Sequence, residues 1–153
     1  MSDSAFDPNE FLDATTTEAS IRRPPVPAGT DLVGYIKDVV FRNVQGKKDP
    51  SKSYLFMDVQ IVASITPELQ SQGQPPEVTY TAGVGIDTID GAGIDFSPGK
   101  NGQLRRYREA LGMNNPGEPF SPRAMIGKQI RVKVKHEFYN GETYDRVDTV
   151  AKV

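Results

Sequence analysis

The C-terminal stretch KQIRVKVKHEFYNGETYDRVDTVAKV, residues 128–153, constrains the fold more than any other part of the chain. Ile130, Val132 and Val134 alternate with Arg131, Lys133 and Lys135. A period of two sends the first set toward a core and the second toward water, as in a half-buried strand. Asn140-Gly141 then supplies the two positive-φ residues of a tight hairpin turn, so the stretch reads as two antiparallel strands. A lone hairpin is marginal in water, and the rest of the chain must complete its sheet.

Three further strands precede it. DLVGYIKDVVFR, from Asp31, is rich in β-branched and aromatic residues, and its internal Gly34 permits sharp coiling or a bulge. YLFMDVQIVASI follows the turn-rich loop NVQGKKDPSKS, and VTYTAGVGID follows the polar connection TPELQSQGQPPE. NGQLRRYREALGM reads as a helix, with Asn101 as N-cap, Leu104, Tyr107, Ala110 and Leu111 on one stripe, and Gly112 as the stop. Three strands, one helix and two strands predict a mainly β chain: a five-stranded Greek-key OB-fold barrel with its helix between strands three and four. Residues 1–30 are then an acidic N-terminal arm, and residues 31–153 the OB-fold domain. Three prolines in RRPPVPAG exclude helix there. The arm is expected to be extended, laid on the domain by Phe6 and Phe11, or else disordered, with ATTTEAS able to start a short helical turn.

The same residues narrow the chemistry. The chain has no cysteine, which removes disulfides, zinc-thiolate sites and thiol nucleophiles. Its single histidine, His136, lies in phase with Ile130, Val132, Val134 and Phe138, which favours a partly buried structural role. GIDFSPGK departs from a phosphate loop in its glycine spacing, and Asn101 stands where Ser or Thr would reach magnesium. Asp87, Asp90 and Asp95 lack the alternating oxygen ligands of a calcium loop and read as a solvated turn. No enzyme, metal or cofactor is expected. MSDSAFDPNEFLD has no basic or apolar segment of the secretory kind, and no apolar run approaches a membrane span.

Charge and rings point elsewhere. Net charge is −2, yet residues 1–20 hold five acids and no base, while residues 100–153 hold eleven Lys/Arg against six Asp/Glu. Arg131, Lys133 and Lys135 form a row with a repeat of roughly 6–7 Å, suited to phosphates along a single strand, or to keeping an outer strand soluble. Arg105, Arg106 and Arg108 add charge on the polar side of the helix. In SYLFMDVQIV, Tyr54 and Phe56 share the face that should meet water, with Asp58 beside them. In an OB-fold that face is the oligonucleotide platform, where bases stack on rings whatever their sequence. Lys47, Lys48 and Lys52 in one flanking loop, and Tyr139 at the other, complete a candidate single-strand site. Burial of Tyr54 and Phe56 under the arm or in a subunit contact is the alternative.

FDPNEFLDATTTEAS…PVPAGTDLVGYIKDV and LRRYREALGM…FSPRAMIGKQIRVKVKHEFYNGETYDRVDTVAKV resemble small phage-encoded single-stranded DNA-binding proteins of replication and recombination modules. The resemblance implies a non-enzymatic protein that coats single-stranded DNA in the host cytoplasm without strong sequence preference. Binders of this kind often carry an acidic C-terminal tail for partner enzymes. Here the C-terminus, DTVAKV, finishes a strand, and the acids lie in residues 1–20. That segment is expected to compete with DNA for the basic surface or to dock replication or recombination proteins. Two rival functions remain: a β-barrel virion assembly module with an interacting arm, homo-oligomeric in that case, and a metal-dependent enzyme using Asp87, Asp90 and Asp95.

Overall fold

A computed structural model describes residues 7–90 and 93–153. Alternating apolar residues build five long strands, in chain order β1 (Asp31–Gln45), β2 (Ser53–Ser64), β3 (Glu77–Ile86), and, after two two-residue strands β4 (Thr88–Ile89) and β5 (Gly93–Ile94), β6 (Gln129–Tyr139) and β7 (Glu142–Ala151). Helix α1 (Pro67–Ser71) lies between β2 and β3, and α2 (Gly102–Ala110) between β5 and β6. The five long strands form one sheet in the order β3-β2-β1-β6-β7, every neighbour antiparallel. No helix among the described residues is long and apolar enough to cross a membrane.

The expected barrel does not close through backbone hydrogen bonds. Its sheet is open, with β3 and β7 as edges that run in the same direction. Side chains, not backbone pairs, join the two edges. α2 packs against both edges, burying Leu104, Tyr107 and Ala110. Across the gap, the Tyr80 hydroxyl donates to Asp145 Oδ2 at 2.6 Å. The core fills the concave side with Leu32, Ile36, Met57, Val59, Ile61, Val84, Ile130, Val132 and Val134, all essentially inaccessible. These are the inward phases of the strands, as their alternation predicts.

Gly34 serves close approach rather than the bulge itself. A Cβ there would stand 2.3 Å from the Val62 carbonyl oxygen, while the register slips between Ile36 and Asp38. The bulge lets β1 pair with β6 through its first five residues and carry on along β2 to Gln45.

The arm is fastened at its C-terminal end. Val26 is fully buried, Gly29 N–H donates to the Val134 carbonyl (2.8 Å), and Val134 N–H donates to Thr30 (2.9 Å). Arg23 Nη2 lies 2.9 Å from Asp145 Oδ2, and Gln74 Nε2 donates to the Pro24 carbonyl at 2.5 Å. Arg22 pairs with Glu142 at 3.0 Å. Residues 7–21 lie exposed. Phe11, expected as an anchor, is on the surface, and Phe6 lies outside the described residues. Among the described residues of the arm, the helical turn is a 3-10 turn over Pro8–Phe11, capped by Asp7, and not in ATTTEAS, where three threonines pay χ1 entropy in a helix.

α1 interrupts what reads as a purely polar connection. Its signal is local: Thr66 accepts from Leu69 N–H as N-cap, and Pro67 occupies the first turn. Asn101 precedes α2 as expected but makes no side-chain cap. With φ of 52°, it turns its amide into the preceding loop, bonding Asp87 N–H, Asp87 O and Asp95 O at 2.7–2.9 Å.

Candidate nucleic-acid interface

The β1–β2 hairpin runs past the sheet body, and its register decides what meets on its outer face. Arg42 stands opposite Phe56, and Val44 opposite Tyr54. Tyr54 is 53% exposed and Phe56 half-buried. The Arg42 guanidinium lies 5.0 Å from the Phe56 ring centroid, and its Nε donates to Asp58 Oδ2 at 2.6 Å. Asp58, which in sequence looks set to repel phosphate, instead holds a cation over the ring. On β3, Gly85 and Gly83 stand opposite Phe56 and Asp58. A Cβ on Gly85 would be 3.9 Å from Phe56, and one on Gly83 would be 3.7 Å from Arg42 Nη2, so ring and guanidinium lie over bare backbone.

The hairpin tip belongs to the same unit. Gly46 N–H donates to Lys52 O at 2.8 Å, and Lys52 N–H to Asp49 O at 3.0 Å. Asp49 accepts from the Ser51 hydroxyl and amide, which hold its carboxyl below the usual value. Gly46 lets the Tyr54 ring approach: a Cβ there would sit 3.2 Å from the ring and 2.6 Å from Asp49 O. Lys47, Lys48 and Lys52 are exposed at this tip, without an ion pair among the described residues. The structure therefore gathers Tyr54, Phe56, Lys47, Lys48 and Lys52, and adds Arg42. Arg42 is invisible in the sequence because only cross-strand register puts it over Phe56.

The β6 row is not gathered with them along β1. Arg131 pairs in register with Val33, and Phe56 with Arg42, nine residues further on, a path of up to about 30 Å. All three cations face outward, but their neighbours differ. Lys133 stands opposite Asp31, Lys135 Nζ is 3.4 Å from Glu137, and Arg131 lies between Val33 and Ala151. Tyr139 is 66% exposed at the far end of β6. Beside it, the ring of Tyr144 is stacked between Arg22 (4.4 Å) and Arg146 (4.9 Å), a cluster the alternation of β7 does not reveal.

The two regions approach each other the other way round, across the seam. There a cleft of about 200 Å³ is lined by Thr81 and Gly83 of β3, Arg106 of α2, Lys135 and Glu137 of β6, and Arg146 of β7. Of the three helix arginines, only Arg106 enters it. Arg105 pairs with Glu109 at 3.7 Å, and Arg108 is stacked between Phe96 (5.3 Å) and Phe120 (4.4 Å).

Other polar groups are committed to structure. Asp145 is buried, which presses its carboxyl upward, but Tyr80 and Arg23 outweigh burial and hold it below the ordinary value. Burial, and then Asp145, push the Tyr80 hydroxyl well up. His136 is more exposed than its phase implies, yet its role is structural: Nε2 donates to the Val26 carbonyl at 2.8 Å. Phe138 shares that phase and is 75% exposed, because the hairpin has left the core behind. Asp87 accepts from Asn101 N–H at 2.8 Å, and Asp95 from Ser97 N–H at 2.9 Å. Among the described residues no three such side chains are grouped to hold a metal ion. No family model matches the chain, and no curated protein does.

Proposed function

We propose that the chain is a non-enzymatic, sequence-nonspecific single-stranded DNA-binding protein of the OB type, acting in phage-type DNA replication or recombination in a host cytoplasm. The observation that carries this is the outer face of the β1–β2 hairpin. Two rings and a guanidinium held beside one of them share that face, and three lysines without an ion pair among the described residues are exposed at its tip. Bases stack on such rings for about 1–3 kcal/mol each, and the cations neutralise the phosphates between them. Glycines 83 and 85 leave the neighbouring strand flat enough for a polymer to cross it. The strand order, with one helix between β3 and β6, supports the OB assignment, since that barrel is only partly closed and uses its second and third strands as the platform. Residues 1–20 are the proposed docking segment for replication or recombination proteins.

The test is a fluorescence-anisotropy titration of labelled oligo-dT at several salt concentrations, with duplex DNA as competitor. Binding that weakens steeply with salt and resists duplex is the expected result. Folded protein that leaves oligo-dT unbound at low salt overturns the proposal.

A second reading draws on the arm. Leu12 and Ile21 are 79% and 90% exposed, which favours an assembly module whose arm reaches a second copy. A discrete oligomer by light scattering without nucleic acid supports that reading, and a monomer removes it.

A further inference from the structure

Of the surfaces outside the β1–β2 platform, the seam cleft between β3 and β7 has the most unassigned chemistry. Three cations on three elements point into it, Arg106 from α2, Lys135 from β6 and Arg146 from β7. Arg106 makes no ion pair among the described residues. The other two share a single carboxylate: Glu137 lies 3.4 Å from Lys135 Nζ and 3.8 Å from Arg146 Nε. Those contacts are loose for charge-assisted bonds, which close to about 2.7–2.9 Å, and all three side chains are about half exposed. Asp148 also lines the cleft, so the site is only mildly cationic while Glu137 occupies it.

We infer that this cleft is a phosphodiester subsite in which Glu137 is the resident anion. A phosphate oxygen and a carboxylate oxygen make the same kind of contact with guanidinium and ammonium groups. An incoming phosphodiester takes the position between Lys135 and Arg146, Arg106 closes on it from the helix side, and Glu137 swings out to water. Gly83 makes the approach continuous. It lines the cleft and also stands beside Arg42 and Asp58 on the platform, so a strand lying over Phe56 reaches the seam across backbone that bears no side chain. The inference rests on the single-strand reading and extends the bound strand from β2 across β3 to β7.

Glu137→Gln and Arg106→Gln in the full chain test it, by oligo-dT anisotropy over a salt series. Arg106→Gln is expected to weaken binding several-fold at low salt and to lower the slope of log K against log salt by about 0.7. Glu137→Gln is expected to tighten binding, because the competing carboxylate is gone. Both positions are on the surface, so the thermal midpoint reports any loss of fold separately. If both variants bind as the wild type does while Tyr54→Ala with Phe56→Ala still weakens binding, the subsite is overturned and the platform stands. Weaker binding by Glu137→Gln also overturns it, since the carboxylate is then positioning the two cations rather than filling their site. Wild-type protein that leaves oligo-dT unbound overturns the single-strand reading and this subsite together.

Discussion

The β1–β2 and β6–β7 hairpins carry much the same side chains, exposed tyrosines among lysines and arginines, and differ in what those side chains already hold. At β1–β2 the tip lysines touch no acid among the described residues, and the one engaged cation, Arg42, is kept on the outer face by Asp58. At β6–β7 most of the charges near the turn are engaged within the chain. Arg22 and Arg23 of the arm grip Glu142 and Asp145, Tyr144 is enclosed by two guanidinium groups, and Lys135 and Arg146 share Glu137. The lesson is that a ring among cations is a ligand surface only where its neighbours leave it unsatisfied. Substitutions in the first hairpin should therefore cost binding, and substitutions in the second, outside the seam cleft that Lys135, Glu137 and Arg146 line, should mostly cost stability.

The largest expected effect is on binding. Tyr54→Ala with Phe56→Ala removes two stacking surfaces worth about 1–3 kcal/mol per base, so affinity for oligo-dT should fall at least about thirtyfold. Tyr54 is exposed and Phe56 only half-buried, and the thermal midpoint should move little by comparison. An affinity within a few-fold of wild type breaks the comparison at its stronger side.

Next comes the clasp at the second hairpin. Tyr80→Phe deletes a buried hydrogen bond to a charged carboxylate, which should cost about 1.5–3 kcal/mol in urea unfolding and leave oligonucleotide binding unchanged. The same clasp sets a pH dependence. Asp145 is depressed in the folded state, so its contribution is fully present above the ordinary aspartate value of about 3.9 and is lost as pH falls through the lower folded value. Asp145→Asn should lower stability at neutral pH and flatten the acid limb of the unfolding profile. An unchanged acid limb removes Asp145 from the account of that limb.

How far these contrasts can be read from sequence follows from what sequence encodes. Strand phases are local, so the inward residues of β2, β3 and β6 and the Asn140-Gly141 turn are legible, as is the stripe of α2. Thr66-Pro67 also announces α1 once it is taken as a cap and first turn. Register and closure are not local. The partnership of Arg42 with Phe56 depends on a slip at Lys37, the packing of the open seam depends on α2 meeting both β3 and β7, and within the β6 row the engagement of Lys135 depends on Glu137. The same gap explains Val26. It is a core residue inside a proline-rich stretch whose composition reads as linker, because its partner is the sheet and not its neighbours in sequence.

The two smallest effects separate the hairpins by charge and by ring. Changing Lys47, Lys48 and Lys52 to Gln should lower the salt slope by about 2, whereas Arg131→Gln with Lys133→Gln should barely change it, because these two pair with the opposite end of β1 from Arg42. Comparable slopes for the two sets return the β6 row to the site. Tyr139→Ala should change oligo-dT affinity by less than about twofold, in line with a surface substitution away from the contact. Its ring is as open as that of Tyr54, so exposure alone predicts equal losses at the two positions. Position predicts unequal ones, because Tyr139 lies at the end of β6 remote from Arg42 and the tip lysines. Equal losses in a long oligonucleotide, with Tyr139 silent in a short one, show a strand that runs from the first hairpin through the seam to the second, and the difference between the hairpins then becomes one of order along a single bound strand.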